Sequence, residues 1–539
     1  MTQFINSREN AVTEAIDGLI QASGGALAKL DGFPHIKVVV RNDWDKSKVA
    51  IVCGGGSGHE PSHAGFVGQG MLTAAVCGDI FASPSVDAVL AGILAVIGSS
   101  GCLLVLKNYT GDRLNFGLAA ERARAMGHKV NMLIVGDDIA LPDLAQPRGL
   151  AGTLLVNKVA GALAESGASL DEVTAAAQKV SESALTIGMS LDTCTIPGTP
   201  KEARISENTA ELGLGIHNEP GAEQIDYSTA DAAMKAVSHK MAPLMGDTPH
   251  VALLNNLGGA SVLEMSVLAN ALAHSSIADK VSDIVGPASL MTSLDMHGFS
   301  LTVVPASAAD IAHLDAPCAP AVWPGCKSFG APQTQPMPEG LALRTFKAST
   351  DEKNAQILDL ICKTFIASEA ELNTLDAKSG DGDTGSTLAG AARGLTSAQD
   401  RLPMANTEDL FGAIGQELGQ IMGGSSGVLL AIFFTTAGEA AATGASLQGA
   451  LQAGLERMKS VGGAAIGDRT MIDALEPALV ALNNGLGAAA QAARTGADST
   501  AAILQAKAGR ASYVGAAQLE GHRDPGAQAV ALMFEALSQ

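Results

Sequence analysis

The sequence is poor in aromatic residues, which make up 3% of its 539 residues, and poor in basic residues relative to acidic ones. It contains 34 lysines and arginines against 55 aspartates and glutamates, so that its formal net charge is −21 at pH 7. A field of this sign repels nucleic-acid phosphates and anionic lipid headgroups, and we therefore expect neither nucleic acid nor a membrane among the partners. An acidic enzyme still binds nucleotides where a divalent cation or a glycine-rich backbone offsets the repulsion.

Closely spaced cysteine pairs and a secretion signal are also lacking. The seven cysteines are odd in number and form no C-x-x-C motif, which is typical of reduced core thiols. The first residues contain neither the basic nor the apolar segment of a signal peptide, which favours a cytoplasmic protein. Two uncharged windows, 88–106 and 418–438, approach membrane-spanning length, but Gly/Ser breaks interrupt both. We interpret them as buried elements of a water-soluble fold.

What is abundant is apolar sequence, at 47% of all residues, punctuated by 61 glycines. At about 100–200 residues per domain, this length predicts three or four compact units. Between about residues 37 and 305, short β-rich runs alternate with Ala-rich stretches of helical length. The runs are 48–53, 101–108, 128–138, 250–256 and 299–305, and the helices are predicted over stretches such as 115–127 and 153–166. The alternation predicts α/β layers with functional residues where strands end.

The second half of the chain has a different texture and predicts an all-helical bundle. Its helices are predicted over 351–372, 386–398, 407–422, 426–443, 445–459, 469–484 and 527–538. Residues 327–344 contain three prolines and two glycines and are the predicted linker between a domain over 1–326 and a domain over 345–539. A weaker boundary near 192–204 is predicted to divide the α/β half into two subdomains.

The first candidate site is the glycine-rich segment 53–70, CGGGSGHEPSHAGFVGQG, directly after a predicted strand. Its glycines 54–56 and Gly58 allow backbone N–H groups to approach a ligand closely. The segment lacks the GK[ST] of a Walker A loop and the spacing of G-x-G-x-x-G, which argues against both nucleotide-binding motifs. His59 is either an imidazole held at the mouth of the site or a structural hydrogen-bonding group.

Two further segments place polar side chains beside glycine. KNYTGD (107–112) ends a predicted strand with Lys107, Asn108 and Asp112, either at the ligand-binding edge of a sheet or as an Asp-capped turn before a helix. GLGIHNEPG (213–221) holds His217 between glycines and an Asn-Glu-Pro-Gly turn. By itself this exposed and constrained histidine is a weak signal.

The sharpest motif is LDAKSGDGDTGST (375–387), in the helical half. Asp376, Asp381 and Asp383 lie within eight residues, and the intervening glycines allow their carboxylates to converge. Such oxygen clusters bind hard divalent cations such as Mg²⁺. The loop lacks the terminal glutamate of an EF-hand and the lysine of a P-loop. The alternative is a solvated acidic loop that caps a helix, but carboxylates this close repel one another without a cation, which favours a metal site.

Four shorter motifs place small residues and single charges at predicted helix ends. They are GGSSG (423–427), GDRTMID (467–473), GRASYVG (509–515) and GHRDPGA (521–527). Helix ends of this kind receive phosphate or nucleobase groups, but glycine and serine also cap helices routinely. Each of these motifs is weak taken alone.

Together with CGDIFASPS (77–85), these motifs resemble the dihydroxyacetone kinase family, in family order and over nearly the whole chain. They are similar in particular to its single-chain, ATP-dependent members. The resemblance implies an α/β substrate-binding domain over 1–326 and, over 345–539, a barrel of antiparallel helices that binds ATP and two Mg²⁺ ions. In the branch that takes phosphate from a carrier protein, the metal loop typically reads GDADHG. The GDGDTG of this chain, and its fusion in one chain, imply ATP as the donor.

The resemblance also implies roles for individual residues. His217 would add to the substrate carbonyl to form a hemiaminal, with His59 and Asp112 as the acid/base pair. Gly56, Ser83, Lys107, Asp112 and His217 would line the sugar pocket. Mg²⁺ would be held by Asp376, Asp381 and Asp383. The matching nucleotide-binding positions are Thr384, Gly385, Ser386, Thr387, Gly424, Ser425, Ser426, Thr470, Met471, Arg510, Asp524, Pro525 and Gly526.

The implied reaction is ATP-dependent phosphorylation of a short ketose or aldose, first of all dihydroxyacetone. Only a ketone or an aldehyde accepts an imidazole, so glycerol would not be held in this way. Glyceraldehyde and a C4 ketose such as erythrulose stay open as substrates, as does splitting of FAD to a cyclic FMN. Readings of another class are a carrier-dependent phosphotransfer subunit and a sugar-sensing regulator, but the three metal aspartates argue for an enzyme. The family resemblance also implies a homodimer in which the substrate domain of one chain meets the nucleotide domain of the other.

Overall fold

The structure is a computed structural model and describes residues 3–32, 35–339 and 343–539. The chain forms two compact units, Met1–Thr334 and Gln335–Gln539. The division lies within the segment 327–344 that the sequence predicts as the linker, of which residues 340–342 lie outside the described residues.

The first unit begins with a six-stranded sheet in the order β1-β2-β4-β3-β5-β6. Its strands are β1 (Leu27–Lys29), β2 (Val38–Arg41), β3 (Ala50–Ser57), β4 (Ala74–Ile80), β5 (Cys102–Lys107) and β6 (Val130–Val135). Strands β3 to β6 run parallel to one another, whereas β2 pairs antiparallel with β4, and β1 pairs antiparallel with β2 at the edge. Every residue of β3 and β5 is buried, which explains their continuous apolar sequences.

Helices cover both faces of this sheet. They are α1 (Ala11–Ala22), α2 (Val86–Val96), α3 (Thr110–Ala125), α4 (Gly152–Glu165) and α5 (Leu170–Ser183). Ile93 of α2 and Phe116 of α3 pack against Leu104 on one face. On the other face, α4 and α5 pack between this sheet and a second one. The core there joins Leu103 of β5, Leu154 of α4 and Val304 of the second sheet.

The second sheet has seven strands in the order β13-β11-β10-β12-β7-β8-β9. They are β7 (Leu185–Ser190), β8 (Thr209–Leu212), β9 (Glu223–Asp226), β10 (His250–Asn256), β11 (Val281–Ala288), β12 (Gly298–Pro305) and β13 (Cys326–Ser328). Only β10 and β11 pair in parallel. The accompanying helices are α6 (Ala230–Met241), α7 (Val262–Ala273) and α8 (Ala308–Asp315). Because β7 begins at Leu185, the chain enters this sheet before the predicted boundary at 192–204.

The second unit consists of helices joined by loops over its described residues. Its helices are α9 (Glu352–Ala367), α10 (Glu369–Asp376), α11 (Thr384–Ala398), α12 (Thr407–Ile421), α13 (Gly424–Ala442), α14 (Leu447–Gly462), α15 (Ile472–Ala481), α16 (Leu486–Ser499), α17 (Ala516–Leu519) and α18 (Pro525–Leu537). Each long helix packs on the next, and α18 packs back on α9, which closes a ring. The predicted order of an α/β half followed by an all-helical half is therefore confirmed.

The two uncharged windows of the sequence have different fates. Residues 88–106 fall in α2 and β5, which are largely buried as predicted. In the second window, α13 is the one helix among the described residues that is long and apolar enough to cross a membrane, and only 22% of its apolar stretch is buried. The expectation of a buried element does not fit α13. Leu429, Leu430 and Phe433 explain part of its apolar character, because they line a cavity inside the ring of helices.

Candidate active site

Three consecutive glycines bring β3 close to neighbouring polar groups. Gly54–Gly56 lie within β3, so the predicted loop begins later than the sequence suggests. Gly55 has a φ of +142°, and a Cβ added there would stand 2.9 Å from Lys107 Nζ and 3.3 Å from Asp112 Oδ2. A Cβ on Gly56 would stand 2.8 Å from the backbone nitrogen of Ala82. Any side chain at these two positions would therefore fill the space beside Lys107 and Asp112 or displace the 81–83 turn.

Lys107, Asp112 and Ser83 surround this end of β3. Lys107 is the last residue of β5 and is fully buried. Asp112 is 4% exposed and lies in the first turn of α3, whose N-cap is Tyr109, so the reading of Asp112 as a cap is wrong. Ser83 Oγ is buried and has no hydrogen-bond partner among the described residues, and the Ser83 Cβ lies 3.2 Å from the Cβ position of Gly111. These side chains share the carboxyl edge of the parallel sheet, where α/β folds bind ligands.

His59 is fully buried instead of lying at the mouth of the site. Its Nδ1 lies 2.8 Å from the carbonyl oxygen of Thr292, which only accepts, so Nδ1 carries the proton and donates it. Nε2 keeps its lone pair and has no partner among the described residues. Burial, followed by the charges of His217 and Lys107, lowers the pKa of His59 well below its ordinary value. His59 is therefore a neutral imidazole with a free acceptor atom, as a general base requires.

His217 is held in one tautomer by Glu219. It lies in the turn between β8 and β9, where its Nδ1 is 3.3 Å from Glu219 Oε1 and its backbone N–H donates to Glu219 Oε2 at 2.7 Å. Burial alone would raise the pKa of Glu219, but the hydrogen bond and charge of His217 lower it to about 2. The ionised carboxylate accepts the Nδ1 proton, which leaves the lone pair of His217 Nε2 available to an electrophile.

Three rings surround the His217 imidazole. Its centroid lies 4.4 Å from Tyr109, 4.9 Å from His59 and 5.3 Å from Phe81, each in an edge-to-face arrangement. Phe81 adopts a φ of +56° and also stacks on His59 at 5.3 Å. Tyr109, Phe81 and Glu219 are site residues that the sequence motifs did not predict. Glu219 could have been found from its position two residues after His217, whereas the contacts of Phe81 depend on the tertiary fold.

The three aspartates of the helical unit converge as predicted. One carboxylate oxygen from each of Asp376, Asp381 and Asp383 lies within 4.8 Å of the others. Asp376 is buried at the end of α10, and its Oδ2 accepts the backbone N–H groups of Asp383 at 2.9 Å and Thr384 at 3.1 Å. An all-carboxylate donor set of this kind fits Mg²⁺. Arg510 forms an ion pair with Asp381 and lies 3.6 Å from Asp383.

Most of the predicted nucleotide-binding residues line one cavity of about 1520 Å³ inside the ring of helices. Beside the three aspartates, the lining includes Thr384, Thr387, Gly424, Ser425, Ser426, Thr470, Met471, Arg510, Asp524, Pro525 and Gly526. Gly385 and Ser386 are not part of it. A Cβ on Gly385 would stand 2.1 Å from the carbonyl oxygen of Glu369, and Ser386 exchanges two hydrogen bonds with Asn373 of α10. These two residues fasten α11 to α10.

The loop that carries Asp524 is fixed by a buried arginine. Arg469 is 1% exposed and donates through Nη2 to the carbonyl oxygens of Leu519 and His522. Asp524 accepts the backbone N–H of Ala527 at 2.8 Å and so caps α18. Burial raises the pKa of Asp524 to about 6, in spite of that hydrogen bond and the charge of Arg469. Helix α18 thus begins at the wall of the cavity with its N-terminus fixed.

The chain is similar to known proteins over its whole length. Residues 17–322 match the family model described as the Dak1 domain, and residues 378–539 match the DAK2 domain. The dihydroxyacetone kinase of Citrobacter freundii is 48% identical over 544 residues, which cover 99% of each chain. The triokinase/FMN cyclase of Homo sapiens is 39% identical over 99% of this chain and 98% of its own. The crystal structure of the Citrobacter kinase in complex with AMP-PNP and Mg²⁺ covers 100% of this chain and 99% of its own, with a TM-score of 0.67 and 46% identity.

Proposed function

The chain belongs to the dihydroxyacetone kinase family, and from this membership we propose that it phosphorylates dihydroxyacetone with ATP and uses His217 to capture the carbonyl group. The protein is an ATP-dependent kinase. The γ-phosphoryl group of ATP moves to a hydroxyl oxygen of the ketose, and the products are dihydroxyacetone phosphate and ADP. The observation that carries the assignment of His217 is its hydrogen bond to Glu219, which reserves Nε2 for an electrophile.

Capture of the ketose is a nucleophilic addition. The lone pair of His217 Nε2 forms a bond to the carbonyl carbon, and the π pair of the carbonyl becomes a lone pair on oxygen, which takes up a proton. The imidazole becomes positively charged, and the Glu219 carboxylate balances that charge through its bond to Nδ1. Glycerol has no carbonyl carbon, so its hydroxyl groups give His217 nothing to add to.

Phosphoryl transfer needs an acceptor for the proton of the attacking hydroxyl. We assign this role to Asp112, assisted by the free Nε2 of His59. As the substrate oxygen bonds to the γ-phosphorus, the bond from that phosphorus to the leaving ADP oxygen breaks, and the proton passes to the Asp112 carboxylate. Phosphoryl transfer also requires that the ketose be positioned, and Gly56, Ser83 and Lys107 would position it.

In the helical unit, Asp376, Asp381 and Asp383 would hold Mg²⁺ beside the nucleotide phosphates. Bound Mg²⁺ neutralises phosphate charge, which is the main electrostatic requirement of this reaction. Asp376 accepts two backbone N–H groups and so fixes the loop, and Asp381 and Asp383 would supply further carboxylate oxygens to the cation. We propose two ions at this site, as the family resemblance implies.

Three finer statements belong to the same proposal. We propose that the enzyme is a homodimer, that it is cytoplasmic and that dihydroxyacetone is preferred over C4 ketoses. The dimer rests on the family resemblance, and the cytoplasmic location rests on the seven free cysteines. The preference rests on the rings of Phe81 and Tyr109, which stand against His217 and limit the room around a captured ketose. Light scattering coupled to gel filtration tests the dimer.

The experiment that tests the activity is ADP release from Mg-ATP with one acceptor at a time: dihydroxyacetone, D-glyceraldehyde, D-erythrulose, L-erythrulose and glycerol. We expect turnover with dihydroxyacetone, the highest kcat/KM among the five, and none with glycerol. A higher kcat/KM for an erythrulose would reassign the substrate within the same mechanism. ADP release without dependence on any carbonyl compound would overturn the proposal.

A further inference from the structure

A second histidine of the glycine-rich segment lies beneath the substrate site. His63 follows the site histidine His59 by four residues and is 4% exposed. Its Nε2 lies 2.6 Å from Lys107 Nζ, and its Nδ1 lies 3.4 Å from Cys53 Sγ. His63 therefore stands between β3 and the last residue of β5.

The contact to Lys107 fixes the protonation of the ring. An ammonium group has only donors, so His63 Nε2 accepts and keeps its lone pair. The ring proton is then on Nδ1, which donates to the Cys53 sulfur. Burial, followed by the charge of Lys107, lowers the pKa of His63 well below its ordinary value, in agreement with a neutral ring.

Lys107 depends on this acceptor. Its ammonium group is fully buried, and no carboxylate forms an ion pair with it among the described residues. Its other acceptor is the carbonyl oxygen of Gly54, at the long distance of 3.5 Å. The third N–H of the ammonium group is left for the side where Gly55 and Asp112 lie. A buried ammonium without acceptors is costly, so losing His63 would turn the Lys107 ammonium group toward other acceptors.

We propose that His63 is a positioning residue for Lys107: its Nε2 accepts one ammonium N–H and thereby directs another toward an oxygen of the ketose. The proposal rests on the proposed function, in which Lys107 lines the sugar pocket. His63 does not touch the substrate and acts through Lys107 alone. Cys53 and the ring proton on Nδ1 keep the imidazole oriented from the other side.

Two amide substitutions separate the acceptor role from the volume of the side chain. In His63→Gln, the amide oxygen reaches the place of Nε2 and accepts from Lys107. In His63→Asn, the shorter amide reaches the place of Nδ1 and leaves Lys107 without its near acceptor. We expect His63→Asn to weaken binding of dihydroxyacetone about ten- to a hundredfold, measured by calorimetry without ATP, and His63→Gln to stay within about threefold of the wild type. The KM for ATP should stay within about twofold in both variants.

A double-mutant cycle with Lys107→Met decides whether His63 acts through Lys107. In the Lys107→Met background, His63→Asn should raise the KM for dihydroxyacetone by less than a further factor of about two. A structural role alone would lower binding by the same factor in both backgrounds, and that result would overturn the proposal. Equal binding by the Gln and Asn variants would also overturn it. Thermal unfolding of each variant, in the full chain, shows which of them are folded.

Failure of the proposed function would look different. If Lys107→Met alone leaves the KM for dihydroxyacetone unchanged, Lys107 does not contact the ketose and the pocket itself is misassigned. If Lys107→Met raises that KM and His63→Asn does not, the pocket stands and the role of His63 is wrong.

Discussion

In the first unit, His59, Lys107 and Asp112 of the candidate site are buried, whereas in the helical unit two of the three clustered carboxylates are exposed. His59 and His217 are fixed in defined tautomers by Thr292 and Glu219 before any ligand arrives. The negative charge of the aspartate cluster is instead balanced by Arg510, whose long side chain is mostly exposed. A neutral ketose can be received by a finished pocket. A site for cations and phosphates is completed by the charges that bind to it.

This comparison predicts that substitutions in the first unit act on proton and carbonyl chemistry. Substitutions at the aspartate cluster should act through the cation.

Asp112→Asn tests whether Asp112 accepts the proton of the substrate hydroxyl, and we expect it to have the greatest effect on activity. The amide has nearly the same shape but does not accept the hydroxyl proton, so we expect kcat to fall by about 10³-fold with little change in the KM for ATP. Steady-state ADP release measures both constants, and thermal unfolding serves as the control for folding. A kcat within tenfold of the wild type would show that Asp112 is not the proton acceptor.

Asp376→Ala and Asp383→Ala separate loop structure from cation binding. Both should lower kcat about 100-fold or more, because each removes a carboxylate from the proposed Mg²⁺ site. Asp376→Ala should in addition lower the free energy of unfolding of the helical unit by about 1 kcal/mol, because two backbone N–H groups at the start of α11 lose their acceptor. Urea unfolding in the absence of Mg²⁺ makes the comparison. Equal stability of the two variants would contradict the structural role of Asp376.

Glu219→Gln should disturb His217 without changing the size of the site. The carboxylate accepts two N–H groups of His217, whereas the amide has a single acceptor oxygen. We expect the KM for dihydroxyacetone to rise about tenfold, because a fraction of His217 shifts to the tautomer with its proton on Nε2. Nitrogen NMR of labelled histidine reports the tautomer directly, and an unchanged spectrum with unchanged KM would exclude this role.

The same residue gives a pH dependence. The pKa of Glu219 lies at about 2 in the folded protein, below its ordinary value of 4.5. A carboxyl group whose pKa is lowered by folding stabilises the fold fully at pH values above its unfolded-state pKa. That stabilisation is lost as the pH falls through the folded-state pKa. The stability advantage of the wild type over Glu219→Gln should therefore shrink as the pH falls from about 4.5 toward 2. Urea midpoints at a series of pH values measure it, and a constant difference would contradict the low pKa.

Arg510→Gln should have the smallest effect of these substitutions. It tests how the aspartate cluster behaves when the guanidinium group that balances its charge is removed. Removing the guanidinium leaves Asp381 and Asp383 to repel each other, so added MgCl₂ should raise the unfolding temperature more in the variant than in the wild type. Scanning calorimetry with and without MgCl₂ provides the measurement. An equal increase in both proteins would show that Arg510 does not balance the carboxylates.

Much of the fold follows from apolar patterning. The runs predicted over 250–256 and 299–305 correspond to β10 and β12, because continuous apolar strands are buried on both faces. Strand β4 (AAVCGDI) was not predicted, since alanine, cysteine and glycine have little strand preference and tertiary packing decides their conformation. The Ala-rich α16 was missed as well, and the predicted helix 351–372 divides at Ser368 into α9 and α10.

The candidate site was predictable only in part, for a physical reason. Motifs of adjacent residues identified the aspartate cluster and the positions of His59, Lys107 and Asp112. The burial of His59, the position of the Phe81 ring and the hydrogen bond from Lys107 to His63 depend on contacts between segments far apart in sequence. The converged carboxylates needed only a tight loop, so sequence spacing was sufficient to find them.

The bond from His59 to Thr292 joins residues that are 233 positions apart. Two neighbouring bonds follow the same route, from Ser62 Oγ to the carbonyl oxygen of Leu290 and from the N–H of Leu294 to the carbonyl oxygen of Gly58. During synthesis on the ribosome, the glycine-rich segment therefore emerges long before residues 290–294, which hold it in place. His217 emerges between the two. A nascent or truncated chain that ends before residue 290 contains His217, the proposed nucleophile, but lacks the acceptor that fixes His59. Unfinished copies of the enzyme are thus expected to be inert toward the cell's ketoses.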